Sequence, residues 1–159
     1  NPNYLTVVIL GRVVMSLGTL SEVHAGIVER MWASDVAFLQ DLYRRLAEYW
    51  EDENSRAIAH LLAPDGRVHV VVQQEGIGER LASSQLQYLL QEMFDSTEEV
   101  TFRFPAYSTY DPTSGAGYAV GQRVYRDGNG FEPTVERVFV GARSDRGRWI
   151  VTELRLTLD

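Results

Sequence analysis

The chain has no cysteine and no lysine; its 15 basic residues are all arginine. Without cysteine there is no thiol nucleophile, no zinc–thiolate or iron–sulfur site, no disulfide and no lipidated thiol. That absence fits a reducing cytosol and a thiol-avoiding export route equally well. Without lysine there is no Schiff-base chemistry and no lysine of a phosphate-binding loop. A GC-rich genome accounts for the all-arginine usage more simply than a selected role does. The three histidines, His24, His60 and His69, are scattered, and no two have the i,i+4 spacing of metal ligands on one helix. No metal or organic cofactor is expected. Serines fall in turns and caps, without the glycines of a nucleophile elbow. A net charge of −7 and a pI near 5.0 leave no concentrated basic surface for phosphates, so nucleic acid is not an expected partner.

What is present suits one globular domain: 159 residues, 45% hydrophobic and 23% charged. Residues 4–20 are mostly apolar, and Arg12 interrupts the run. Neither side of it reaches the ~18 residues of a spanning helix. Three destinations fit the segment: a strand or helix lying on the domain itself, a piece of membrane anchor, or an arm that docks another protein. Val23-His24-Ala25 has small residues at signal-cleavage spacing, against which stand Glu22 and the lack of a basic start. Val23, Ile27, Val28 and Met31 recur at helical spacing, so residues 1–33 are expected to form an apolar extension and a lead-in helix, and residues 34–159 the main domain.

In that domain Ser34 is placed to cap a helix whose apolar stripe is Phe38, Leu39, Leu42, Tyr43, Leu46, Tyr49 and Trp50. The acids Glu51-Asp52-Glu53 are expected to end it and to favour the start of a short second helix carrying Ile58, Leu61 and Leu62. Val68, Val70 and Val72 alternate as a strand, and Ser84-Gln85-Leu86-Gln87 reads as a capping box before a third helix. Four alternating strands follow from Glu98, separated by turn signals at Pro112–Gly115, Asp127–Gly130 and Asp145–Gly147. The predicted fold class is α+β: three helices on one curved antiparallel sheet.

The order helix–helix–strand–helix–meander resembles the cone-shaped fold of the nuclear transport factor 2-like superfamily, and within it a small exported bacterial family of unassigned function. The resemblance is carried by Leu46-Ala47-Glu48-Tyr49-Trp50, Ser83-Ser84-Gln85-Leu86, Glu92-Met93-Phe94, Gly117-Tyr118-Ala119-Val120-Gly121 and the closing Arg148–Leu156 strand. It implies a conical pocket between sheet and helices. The superfamily holds isomerases, dehydratases and hydrolases beside non-catalytic binding domains, so the fold leaves activity open. An envelope or membrane-associated location is favoured over the cytoplasm.

Alternation places Tyr118, Val120 and Val124 inward with Gln122 among them, and Ile150, Leu154 and Leu156 inward with Thr152 among them. Strand 134–142 admits two registers. One turns Glu136 inward with Val138 and Val140; the other turns Val135 and Phe139 inward. Tyr43, Gln122, Glu136 and Thr152 are thus the expected pocket lining. Each has a plainer reading as a hydrogen-bonded core residue or, for Glu136, as a cross-strand partner of Arg123 or Arg137. The opposite face would carry Tyr125, Val135, Phe139, Trp149 and Val151, more apolar surface than a solvated face needs. Two functions follow. One is a non-catalytic binding or scaffold domain, an accessory subunit of an envelope or membrane-associated assembly. It would take a protein partner or a second copy through that outer face, with residues 4–20 as a membrane contact. The alternative is a small-molecule enzyme or carrier using the cone.

Overall fold

The structure, a computed structural model, describes residues 6–9, 22–62, 66–104, 107–145 and 147–158. Among them are three α-helices and one eight-stranded sheet. In chain order these are β1 (Thr6–Ile9), α1 (Glu22–Glu51), α2 (Ser55–Ala59), β2 (Arg67–Val72), a 3₁₀ turn (Gln73–Glu75), β3 (Ile77–Ala82), α3 (Ser83–Asp95), β4 (Thr97–Arg103), β5 (Tyr107–Asp111), β6 (Ala116–Asp127), β7 (Thr134–Asp145) and β8 (Arg148–Leu158). The α+β class with helices on one sheet is as expected. The sheet order is β1-β5-β6-β7-β8-β2-β3, with β4 also paired to β6. The β6–β7–β8 meander is antiparallel, while β2–β8 and β1–β5 pair in parallel, so the sheet is mixed.

Several local expectations are corrected. The helix expected to start at Ser34 is continuous with the lead-in segment, in one 30-residue helix that crosses positions 33 and 34 without a break. No residue there interrupts the intrahelical bonding. The edge strand β3 and the strand β5, which lies between β1 and β6, were not anticipated, because Ile77–Ala82 and Tyr107–Asp111 show little apolar alternation. Asn54 caps α2 by accepting from the Ala57 N–H at 3.0 Å. The acids before it serve a different partner. Glu51 Oε1 accepts from the Phe102 N–H at 2.9 Å and Glu53 Oε1 from the Glu99 N–H at 3.0 Å, satisfying the free edge of β4. Helix α3 begins one residue before the expected cap. Gln85 Oε1 accepts from the Ala82 N–H at 2.8 Å, and Ser83 Oγ donates to Ala59 O at 3.0 Å, tying α3 to α2. Of residues 4–20, Thr6–Ile9 form β1 alongside β5; the others lie outside the described residues. No helix among the described residues is long and apolar enough to cross a membrane.

The core lies between the helices and the inner face of the sheet. Leu39, Leu42, Tyr43, Leu46 and Trp50 supply the stripe of α1, and they meet Val68, Val70, Val138, Val140, Leu154 and Leu156. Two features set which face of β6 and β8 is inner. In β6 the inward residues are the small ones, Gly117, Ala119 and Gly121, while Tyr118 and Val120 point out. A Cβ on Gly121 would stand 2.7 Å from Phe102 Cζ, and one on Gly117 2.6 Å from Leu39 Cδ2. Large neighbours occupy the space, so alternation by size reads the face backwards. In β8 a bulge opposite Gly141/Ala142 leaves Thr152 unpaired. Beyond it the parity inverts. Val151 and Trp149 are buried in the core, and Tyr110 packs edge-on against Trp149 at 5.6 Å. The expectation that Trp149 and Val151 face away from the helices is therefore corrected.

Candidate functional site

The polar centre of the cone grows out of β4, β6 and β7. Arg123 follows the small inward residues of β6 and so reaches the interior. It pairs across the sheet with Glu136 of β7 and Phe102 of β4. A bulge in β4 between Glu99 and Thr101 puts Glu99, Phe102 and Phe104 all on the inner side. The Arg123 Nε–H donates to Glu99 Oε1 and Oε2 at 2.9 and 3.0 Å, and Nη1 donates to Glu136 Oε1 at 2.9 Å. Nη2 bonds Glu99 and reaches Thr97 Oγ1 at 3.4 Å. The guanidinium lies 4.0 Å from the Tyr125 ring centroid and 5.8 Å from that of Trp50. All three charged side chains are at least nine-tenths buried.

One guanidinium between two buried carboxylates leaves an excess of negative charge, and Glu136 carries the strain. Burial raises its pKa, Arg123 opposes the rise, and Glu99 and Glu75 add to it. For Arg123 burial works against the charge, but the bonds to Glu99 and then Glu136 outweigh it and raise its pKa. Buried carboxyls with raised pKa values are the usual material of general acids. Here the carboxyl's partner is the chain's own arginine.

A cavity of about 40 Å³ lies between α3 and strands β2 and β8, lined by Val70, Val72, Leu86, Leu90, Met93 and Leu156 among others, with Glu75 at its rim. Sites for small organic ligands run to ~300–1,000 Å³. Deeper in the cone, Tyr43, Phe104, Phe102, Trp50 and Phe94 stack in sequence with centroid separations of 4.8–5.7 Å. Among the described residues no cluster of His, Asp and Glu is arranged to hold a metal ion.

The four expected pocket residues do not converge. Tyr43 is fully buried; its hydroxyl donates to Val140 O at 3.3 Å, and burial raises its pKa far above that of a free phenol. Gln122 is exposed on the outer face, a correction that follows from the inverted face of β6. Thr152 is the half-buried bulge residue of β8. Glu136 takes the inward register and is also the cross-strand partner of Arg123. Of the five outer-face residues, Val135 and Phe139 are half-buried on that face. Tyr125 instead pairs with Glu99 and lies against Arg123 on the inner side, and Trp149 and Val151 are core. Sequence reasoning missed Glu99, Arg123 as an interior residue, and the exposed pair Tyr118 and Val120. The run of Gly117, Ala119 and Gly121 at period two, with Arg123 next in phase, was the available signal for that face.

The sequence matches no family model and no curated protein. Solved structures are similar in fold. A DUF4783 family protein from Bacteroides ovatus is 13% identical with a TM-score of 0.59, over 72% of this chain and 93% of its own. A nuclear transport factor 2-like protein with a cystatin-like fold from Novosphingobium aromaticivorans is 16% identical with a TM-score of 0.60, over 89% and 92%. A hypothetical protein with a ketosteroid isomerase-like fold from Catenulispora acidiphila, solved with trimethylamine, is 14% identical with a TM-score of 0.59, over 74% and 85%. The chain has the nuclear transport factor 2-like fold, as the sequence resemblance implied, and shares it with proteins of unknown function.

Proposed function

We propose that this chain is a non-catalytic binding or scaffold domain, an accessory subunit of a larger envelope or membrane-associated assembly, with the outer sheet face as its protein interface. The observation that carries this reading is that the buried polar centre of the cone is paired with itself. Its charged groups are spent on one another in the Glu99–Arg123–Glu136 triad, and the cavity between α3, β2 and β8, which none of the three lines, is about 40 Å³. The outer face, by contrast, presents Tyr118 and Val120 at 39% and 43% exposure in the middle of the sheet, with Phe139 at 5.7 Å from the Tyr118 ring. The envelope location rests on the resemblance and on the apolar stretch in residues 4–20.

Val120→Asp tests it. The substitution leaves every core residue in place, so circular dichroism should not change, while the native assembly isolated with the tagged chain should lose its partner in sizing with light scattering. An unchanged assembly would refute the interface. The alternative, a small-molecule enzyme or carrier, is favoured by the raised pKa of Glu136. It requires that a ligand shift the Glu136 carboxyl resonance, and that Glu136→Gln abolish its binding.

A further inference from the structure

The outer face is polarised in charge as well as apolar at its centre. Residues paired across strands share a face, so the register gives its layout. Arg103, Gln122 and Arg137 form one row across β4, β6 and β7. Val120, Phe139 and Arg155 form the next, across β6, β7 and β8. Tyr118, Gly141 and Glu153 follow, and Arg143 lies beside Ala116 beyond them. Tyr118, Val120 and Phe139 are thus framed by guanidinium groups, and Arg103, Arg137, Arg143 and Arg155 are all exposed. Arg155 also stands 5.8 Å from the Phe139 centroid. Of the acids on this face, Glu153 is engaged by Arg155 at 2.7 Å, Asp111 accepts from the Thr113 N–H at 2.9 Å and the Ser114 hydroxyl at 3.0 Å, and Glu98 and Asp145 lie directly opposite Arg126 and Arg148. The helix side has the contrary sign. Glu51, Asp52, Glu92 and Asp95 are exposed there, and the net charge of the chain is −7.

From this charge complementarity we infer that the outer face takes an acidic protein segment with an apolar side chain between its carboxylates, and not a second copy of this chain. The inference rests on the reading of that face as an interface. A twofold contact sets a patch against itself. Here it would bring arginine rows together with no free carboxylate to receive them, and like charges facing across an interface repel. An acidic segment reverses that sign. Guanidinium groups bind carboxylates in forked pairs at the rim, and aromatic and aliphatic groups occupy the centre, as in protein interfaces generally. A nucleic acid meets the same arginines but also the repulsion of Glu98, Glu153 and the net negative charge, which a polyanion feels at long range.

The absence of cysteine makes the test clean. The purified chain is titrated by fluorescence anisotropy with a labelled acidic peptide bearing one tryptophan, and with a single-stranded oligothymidylate of equal charge. Separately, Val120→Cys supplies the only thiol, and a short bis-maleimide reports whether two copies meet face to face. The peptide should bind, more weakly as salt screens the charges. Binding should fall about tenfold or more in Arg103→Glu/Arg143→Glu and hold in the helix-side variant Arg56→Glu. The oligonucleotide should bind less tightly than the peptide, and cross-linked dimers should be absent. Equal peptide affinity in the double variant, no peptide binding, tighter oligonucleotide binding, or efficient dimer cross-linking each overturns the inference. If Val120→Asp still disrupts the native assembly in such a case, the interface stands and only the acidic partner falls. If it does not, the interface reading falls with it.

Discussion

Arg123 is the residue on which the interior charge depends. Its removal as Arg123→Met strands Glu99 and Glu136 in a place from which water is excluded. Breaking one partner out of such a cluster costs about 3–5 kcal/mol, so the variant should show that loss in urea denaturation or fail to fold. Glu136→Gln keeps the shape and an acceptor oxygen while removing the excess charge, and should cost about 1 kcal/mol or less. The pH dependence follows from the raised pKa. Between the ordinary carboxyl range and the higher folded value, the folded chain holds the proton more tightly than the unfolded chain. The contribution of Glu136 to stability therefore falls as pH rises through that window and is constant above it. Unfolding free energies of wild type and Glu136→Gln at about pH 5 and about pH 7 should show the variant gaining relative to wild type at the higher pH. An equal difference at both would mean that Glu136 is ionised throughout. Trp149 is a second case. Because it is core, Trp149→Asp should unfold the domain, by at least the ~3–5 kcal/mol of an indole lost from a packed site, seen as loss of the cooperative thermal transition.

At the scale of the element, what could be read from sequence and what could not divide along the lines of local pattern. The stripe of α1 from Leu39 to Trp50, the valines of β2, the turns at Pro112–Gly115 and Asp145–Gly147 and the meander order were all legible, because each is a periodicity or a turn within one segment. The faces of β6 and β8 were not. In β6 the inner positions are filled by neighbours, Leu39 and Phe102, which reach over residues without side chains. In β8 one unpaired residue, Thr152, inverts everything before it. Both depend on a partner strand or helix that a single segment does not reveal. The candidate site suffered most. Glu99 is brought inward by a bulge in β4, and Arg123 by the inverted face of β6. Gly121→Ala probes this directly. Its methyl would meet the buried ring of Phe102, which is rigid, and should cost about 1–3 kcal/mol by overpacking, measured as a lower denaturation midpoint at unchanged slope. Ala at Gly128, with nothing within 4 Å of its Cβ, is the control.

Across the whole molecule the sheet order ranks the strands by how firmly they are held. β7 is central, paired along its length by β6 and β8, and its inward residues Val138 and Val140 are fully buried under α1. β1 and β3 end the order, each with one neighbour. Local opening is cheapest where few buried contacts hold the backbone, so β7 amides should exchange only through global unfolding, while β1 and β3 exchange faster by orders of magnitude. β4 departs from a simple edge rule. It also lacks a second neighbouring strand, yet the carboxylates of Glu51 and Glu53 accept from its Phe102 and Glu99 amides. Those two amides should be protected well above their neighbours on β4. Protection should fall to edge values at Phe102 in Glu51→Ala and at Glu99 in Glu53→Ala, with β7 unaffected. Native-state hydrogen exchange by NMR reads each position separately. If β4 exchanges uniformly in both variants and wild type, the helix carboxylates do not close that edge. The packing of α1 against β4 would then rest on apolar contacts such as that of Trp50 with Phe102.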